Sequence, residues 1–320
     1  PHGWFYPFIS NHIYRNSGCL KCIENSTKSK GEIELLEFIR ELLPNKNIIN
    51  NDRTILNPQE LDIYIPEYKI AIEYNGLHWH STENNKPNDF HINKTNKCLS
   101  KGIQLIHIFE DEWINKKDIV KSRLRNLFGL NEYKIYARNT EIKIVENKET
   151  KEFLIKNHIQ GFIGSKISLG LYKNDELVSL MTFRTYSKKI NDIKSIYHFE
   201  LSRFCNKLNT NVVGSASKLL NYFEKNYKPK LIISYADRRW SMGNVYELLN
   251  FELKHISKPN FYYIQDGIRL SRLNFQKHKL IHKYNCDIKI TGPEFIKNNL
   301  NMNTIFDSGN LVYYKHYKYL

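Results

Sequence analysis

Apolar positions set the first element: Ile33, Leu35, Leu36, Ile39, Leu42 and Leu43 recur at helical spacing after Gly31-Glu32, and Pro44 stops the run. The period then changes to two. Leu61, Ile63 and Ile65 alternate with Asp62 and Tyr64, and Ile70, Ile72 and Tyr74 alternate with Ala71, Glu73 and Asn75. Joined by Pro66-Glu67-Tyr68-Lys69, they predict a hairpin. A helix over 89–101 ending at Gly102, an apolar strand over 103–109 and a helix over 117–128 closed by Gly129 follow. Farther on the pattern predicts a strand over 141–145, a helix over 148–157, and a hairpin of strands 167–172 and 176–183. A strand over 197–204, a helix opening at 213–220, a strand over 230–235, a helix over 245–251 and a short strand at 311–314 complete it. Residues 1–30 carry no helical period, and 285–320 are weakly patterned.

The expected domains are 1–30, 31–130, 131–285 and an extension over 286–320, in an α/β chain of 320 residues. With 41% hydrophobic and 25% charged residues the composition is globular, and no apolar run reaches the roughly 20 residues of a membrane span. The start lacks the basic-then-apolar order of a signal peptide. Five cysteines, only Cys19 and Cys22 closely spaced, argue against a disulfide framework and for a reducing, cytoplasmic setting.

Charge divides unevenly. Residues 1–130 hold 17 basic and 16 acidic side chains, and 131–320 hold 31 and 17, so nearly all of the net +15 lies in the second part. A basic anchor beside a carboxylate-bearing module suits an enzyme acting on nucleic acid. A Lys-, Asn- and Ile-rich proteome would raise the charge without any ligand.

The hairpin carries the candidate chemistry. A four-residue loop sets Ile65 opposite Ile70, Ile63 opposite Ile72, and Asp62 opposite Glu73, with carboxylates about 5 Å apart at Cβ. Opposed like charges persist where a divalent cation lies between them or one acid stays protonated. Asn75 follows on the same face, and Gly76-Leu77-His78-Trp79-His80 lets His80 reach back. This set suits metal-assisted phosphodiester hydrolysis; the alternative is a surface hairpin with solvated acids. At the start, His2, Cys19 and Cys22 supply three zinc ligands, or two free thiols in a frayed segment.

Asp62, Glu73-x-Asn75 and the Gly76…Trp79-His80 tail resemble the PD-(D/E)xK nuclease superfamily, in its branch of very-short-patch-repair and phage homing endonucleases (the EDxHD type). The resemblance implies Asp62 and Glu73 as Mg²⁺ (or Mn²⁺) ligands, His80 as general base and Glu32 as a tuning acid. Asn75 replaces a frequent Lys, with His91 or Lys94 as surrogate, and Asp111 could hold a histidine. His2-Gly3 and Gly18-Cys19-Leu20-Lys21-Cys22 are similar to the zinc-ribbon-like finger that precedes such nucleases, without its leading Cys.

Residues 140–265 resemble the GNAT acetyltransferase fold, with Gly214-x-Ala216 at the cofactor loop and Asn244-x-Tyr246 with Phe251 in a later helix; phage DNA-modification proteins of the Mom type look similar. Asn211 replaces the usual Gln or Arg. The domain is read as a DNA-gripping scaffold, and acyl-CoA is not expected. Arg203, Lys218, Arg238, Arg239, Trp240, Arg269, Arg272 and Lys277 are the candidate contacts to double-stranded DNA. The resulting expectation is a Mg²⁺-dependent, homing-type endonuclease in a bacterial cell, phage-encoded or not: a zinc-ribbon-like stub, a PD-(D/E)xK domain with a central mixed sheet, and a GNAT-like domain. The alternatives are a DNA-modifying acyltransferase of the GNAT/Mom type and a non-enzymatic nucleic-acid-binding protein.

Overall fold

The computed structural model describes residues 29–78, 81, 87–186 and 197–318. The stub over 1–28, with His2, Cys19 and Cys22, lies outside these residues, as does His80.

Ser29 caps the first helix, α1 (Lys30–Leu42), by accepting the Glu32 N–H at 3.2 Å. Leu35, Leu36, Phe38 and Ile39 form its buried face. Strands β1 (Ile49–Leu56), β2 (Gln59–Ile65), β3 (Ile70–Asn75) and β4 (Gln104–Phe109) make one sheet in the order β1-β2-β3-β4. The hairpin register is the expected one, with Ile63 opposite Ile72 and Ile65 opposite Ile70. The third strand is buried on both faces and pairs in parallel with the fourth, so the helix α2 (Phe90–Ser100) between them is a crossover. Helices α3 (Glu110–Asn115) and α4 (Lys117–Leu127) follow.

Next come β5 (Tyr133–Tyr136), β6 (Glu141–Ile144), α5 (Asn147–Asn157), β7 (Ile167–Lys173), β8 (Glu176–Thr185), β9 (His198–Asn206), β10 (Thr210–Val213), α6 (Ser215–Tyr227), β11 (Leu231–Asp237), α7 (Asn244–Leu248) and β12 (Glu252–Ile256). The chain then leaves the sheet to form β13 (Phe261–Gln265), β14 (Ile268–Ser271), α8 (Lys277–Tyr284), α9 (Gly292–Phe295) and β15 (Asn303–Phe306). It returns as β16 (Asn310–His316). The seven-stranded sheet has the order β12-β16-β11-β9-β8-β7-β6, in which β9 and β11 are the parallel neighbours and the other pairs are antiparallel. This mixed order, with α6 crossing between the parallel pair, is a GNAT-like domain. Phe223 of α6 stacks on Phe183 at 3.6 Å and packs with Leu201, Leu219 and Ile232. The stretch 286–320, expected as an extension, supplies β15 and the interior strand β16.

The two sheets share a core. Ile159 and Trp240, from the second part of the chain, pack in the same cluster as Leu35, Ile39, Ile72 and Trp113. Among the described residues no helix is long and apolar enough to cross a membrane.

Candidate functional site

The hairpin acids are held by protein groups. Asp62 accepts the Tyr74 N–H at 2.8 Å, and Glu73 accepts the Asp62 N–H at 3.3 Å. Lys94 reaches from α2 to form a buried ion pair with Glu73, which is 2% exposed. Burial, and then the charge of Asp62, push the Glu73 carboxyl up to about 8 against the pull of Lys94. An ammonium thus pairs with one of the two acids expected to share a cation. Asn75 is buried with Nδ2 3.3 Å from His107 Nδ1, and His107 Nε2 lies 2.9 Å from Thr95 Oγ1. His91 meets the His107 ring edge-on at 5.3 Å. The structure therefore joins Asp62, Glu73 and Lys94 in one cluster, and Asn75 and His91 around His107, while Glu32 opens α1. Asp111 holds Arg269 at 2.8 Å rather than a histidine. Among the described residues no group of three or more His, Cys, Asp and Glu could hold a metal ion.

A cavity of about 770 Å³ lies elsewhere. Strands β9 and β11 pair from Leu231–His198 to Ser234–Leu201 and then part. Ser202, Arg203 and Phe204 on one side and Tyr235, Ala236 and Asp237 on the other line the opening. Tyr246 of α7 is also in its wall, with Oη 2.9 Å from Ser234 Oγ. Burial raises the pKa of Tyr246, so its hydroxyl keeps its proton at neutral pH. Asp307 accepts the Asn260 and Gly309 N–H groups, both at 2.8 Å on Oδ1. Burial, and then the charge of Asp237, raise its pKa. His158 is held neutral by burial and by Arg203, Arg123 and Lys116.

The far wall comes from the first sheet's domain: Asp111, Glu112, Lys116 and Arg123. Glu112 accepts from Arg239 Nη1 at 3.0 Å on both oxygens and pairs with Arg269 Nη2 at 2.7 Å. Arg239 also binds Asp237 at 2.8 Å. Three carboxylates and two guanidiniums thus weld the halves together.

That network corrects the expected DNA contacts. Arg239 is 2% exposed and its charge is spent inside. Arg238 donates to Ser308 O at 3.2 Å and Asn96 Oδ1 at 2.7 Å, and Arg269 lies 3.9 Å over Phe109. Trp240 is buried. Arg203 donates to Gly161 O and Ser202 O, Lys218 to Ala137 O and Thr140 O, and Lys277 to Ile290 O. Buried or bonded inward, these groups cannot grip a duplex face. Arg272 is exposed, over Phe261 at 5.5 Å.

A second depression, about 490 Å³, borders the start of α6. Gly214, with φ 80°, is the N-cap, and no side chain caps the helix, so its first-turn N–H groups stay open. Arg138, Ser217 and Lys218 line this depression.

Sequence reasoning missed Arg123, Lys116, Glu112 and Asp307. For Arg123 a signal existed: it lies four residues after Ile119 and three after Val120, on the apolar face of α4 rather than its solvated one.

A family model described as the Mom protein family matches residues 139–301. No curated protein matches the chain. Among solved structures, a Bacillus subtilis acetyltransferase in complex with CoA is 15% identical, covering 56% of this chain and 99% of its own, with a TM-score of 0.33. A GNAT family acetyltransferase from Elizabethkingia anophelis with acetyl-CoA bound is 12% identical over 56% and 99%, at 0.32. The ribosomal-protein-S18-alanine N-acetyltransferase of Escherichia coli is 12% identical over 41% and 88%, at 0.32. The expected Mg²⁺-dependent, homing-type endonuclease is thereby overturned: the family model that matches is that of the Mom protein family. With it fall the hydrolase reading and the Mg²⁺, Mn²⁺ and Zn²⁺ cofactors. Setting acyl-CoA aside was also wrong, because this topology places a parallel-strand opening and an uncapped Gly214 helix where the expectation allowed only a scaffold.

Proposed function

We propose, for a chain that belongs to the Mom protein family, an acyltransferase that modifies double-stranded DNA, drawing the acyl group from a CoA-type thioester. The observation that carries this reading is the parting of β9 and β11 beyond Ser234 and Leu201, which opens the 770 Å³ cavity in the sheet.

The residues present fit such a donor. Open amides at the start of α6, with Arg138 nearby, suit its phosphates. When bound, the thioester supplies an acyl carbon ready for attack by an exocyclic amino group of a base. Tyr246, protonated and set against Ser234, is the proton source for the departing sulfur. Asp307 takes the proton of the attacking amine: its two N–H bonds fall on Oδ1, and its raised pKa makes it a better base than the arginine-bound Asp237. Arg203 and Trp240 belong to this cavity rather than to a DNA-gripping face. The free thiols Cys98, Cys205 and Cys286 agree with a reducing cytoplasm.

The test is full-length chain with duplex DNA and, in separate arms, acetyl-CoA, malonyl-CoA and succinyl-CoA. Thiol release is followed with a disulfide reagent, and the digested nucleosides are weighed by mass spectrometry. DNA-dependent thiol release with an acylated nucleoside supports the reading. Thiol release that ignores DNA, with unmodified nucleosides, would sink it.

A further inference from the structure

The cavity between the two halves holds more cationic and donor groups than the acyl-transfer reading uses. Arg239 and Arg269 are balanced by Glu112, Asp111 and Asp237. Arg123, Arg203 and Lys116 are not: among the described residues none of the three forms an ion pair. Arg203 and Lys116 spend their hydrogen bonds on the backbone carbonyls of Gly161, Ser202 and Ile159. Asp237 supports the charge of Arg123 from beyond ion-pair range.

Two buried donors in the same wall have no acceptor among the described residues. They are Arg123 Nε and Trp240 Nε1, whose side chains stack at 4.6 Å. Trp240 is 6% exposed, so bulk water does not reach this N–H. A donor orphaned in a core costs about 1–3 kcal/mol, and two side by side on one cavity wall are explained by a ligand that accepts from both. His158, between the same cations, accepts the Gln160 N–H on Nδ1 at 3.1 Å; being neutral, it carries its own proton on Nε2 and adds a third donor. A recess of this size takes a small molecule or a single group, not the width of a duplex.

We propose that Arg123 and Trp240, backed by Arg203 and Lys116, form an oxyanion site for a small ligand bearing a carboxylate or phosphate, and that in the transfer reaction this is the anionic end of the acyl group. Only the last clause rests on the acyl-transfer reading. Arg123 and Lys116 come from the first sheet's domain, so that domain sets which acyl groups are accepted.

The experiment titrates full-length protein with malonate in one arm and inorganic phosphate in the other, at ionic strength matched with NaCl, reading the melting temperature and calorimetric Kd. The expected result is a saturable rise of a few degrees with at least one anion and none with NaCl. Trp240→Phe keeps the ring and its packing but removes the N–H; Arg123→Gln removes the charge. Each is expected to weaken Kd by tenfold or more. Binding in the malonate arm identifies a carboxylate, and binding confined to phosphate identifies a phosphoryl group. No saturable shift in either arm overturns the site. So does a wild-type Kd in Trp240→Phe, which decides the matter if Arg123→Gln fails to fold. Anion binding without DNA acylation would leave this site standing and remove the transfer reading instead.

Discussion

Replacing Glu112 by Gln removes the charge at the centre of the network between the halves while keeping the side chain's shape. Glu112 is 5% exposed. Burial alone would raise its pKa, but the charges of Arg239 and then Arg269 outweigh it and hold the carboxyl at about 2, against an ordinary 4.5. At about 1.4 kcal/mol per pKa unit, that gap corresponds to about 3 kcal/mol of stability. This falls in the range of about 3–5 kcal/mol for breaking a buried pair from one side. Because the folded pKa is depressed, the contribution is complete above the unfolded pKa near 4.5 and is lost as pH falls through about 2. Urea unfolding of wild type and Glu112→Gln, followed by fluorescence of the neighbouring Trp113 and Trp240, is the assay. The variant is expected to be less stable by about 3 kcal/mol at pH 7, with the gap closing as pH approaches 2. A gap below about 0.5 kcal/mol at pH 7, the level of an ordinary surface change, or one that widens on acidification, refutes the reasoning.

Tyr246→Phe is expected to lower kcat for DNA acylation by about 100-fold or more, with the donor KM unchanged, in the thiol-release assay. Asp307→Asn should lower the same rate and remove the acidic limb of its pH profile, which wild type shows because the raised carboxyl must ionise to act. Gly214→Ala places a side chain at φ 80°, at a cost of about 1 kcal/mol, read as a lower melting temperature, and weaker donor binding accompanies it. Gly243→Ala would drive a Cβ into the Tyr313 hydroxyl at φ 93°, and Tyr313 stacks on Tyr246 at 4.8 Å. That variant is expected to lose stability by about 2 kcal/mol or more, seen in urea unfolding, and to lose activity with it.

Local pattern revealed what local pattern determines. The β2–β3 register followed from alternation plus a four-residue loop, and each strand from β6 to β9 and β11 had an apolar period of its own. Strands β5 and β10 did not: Tyr133–Tyr136 and Thr210–Val213 are four residues long, paired with each other, and partly polar. The β13–β15 insertion mixes lysines and asparagines into its apolar positions, and β16 pairs with β12 across the whole of it. At the site, the nearness of Asp62 and Glu73 was legible, but not that each carboxylate would take a backbone N–H beyond the last ladder pair, Ile63 and Ile72, nor that the Lys94 ammonium would arrive from another element. Arg238-Arg239-Trp240 reads as a nucleic-acid contact only while Glu112, 127 residues away, is out of view.

The first domain, in this light, needs no reaction of its own to be retained. His107 donates its backbone N–H to Arg239 O at 3.1 Å, Thr95 Oγ1 donates to Ser308 Oγ at 3.0 Å, and Lys116 bonds Ile159 O at 2.6 Å. The bonds tie β4, the crossover helix α2 and the turn between α3 and α4, in that order, to loops of the GNAT-like domain. Without residues 31–130, Arg239 would keep Asp237 but lose Glu112, and Arg269 would lose both of its carboxylates. The cavity would also open on the side where Arg123 and Lys116 now stand. A buried ion network is a poor source of net stability but a strict one for register. Here it fixes the angle at which one domain closes the other's cavity, through two carboxylates, Asp111 and Glu112, that α3 carries to the boundary.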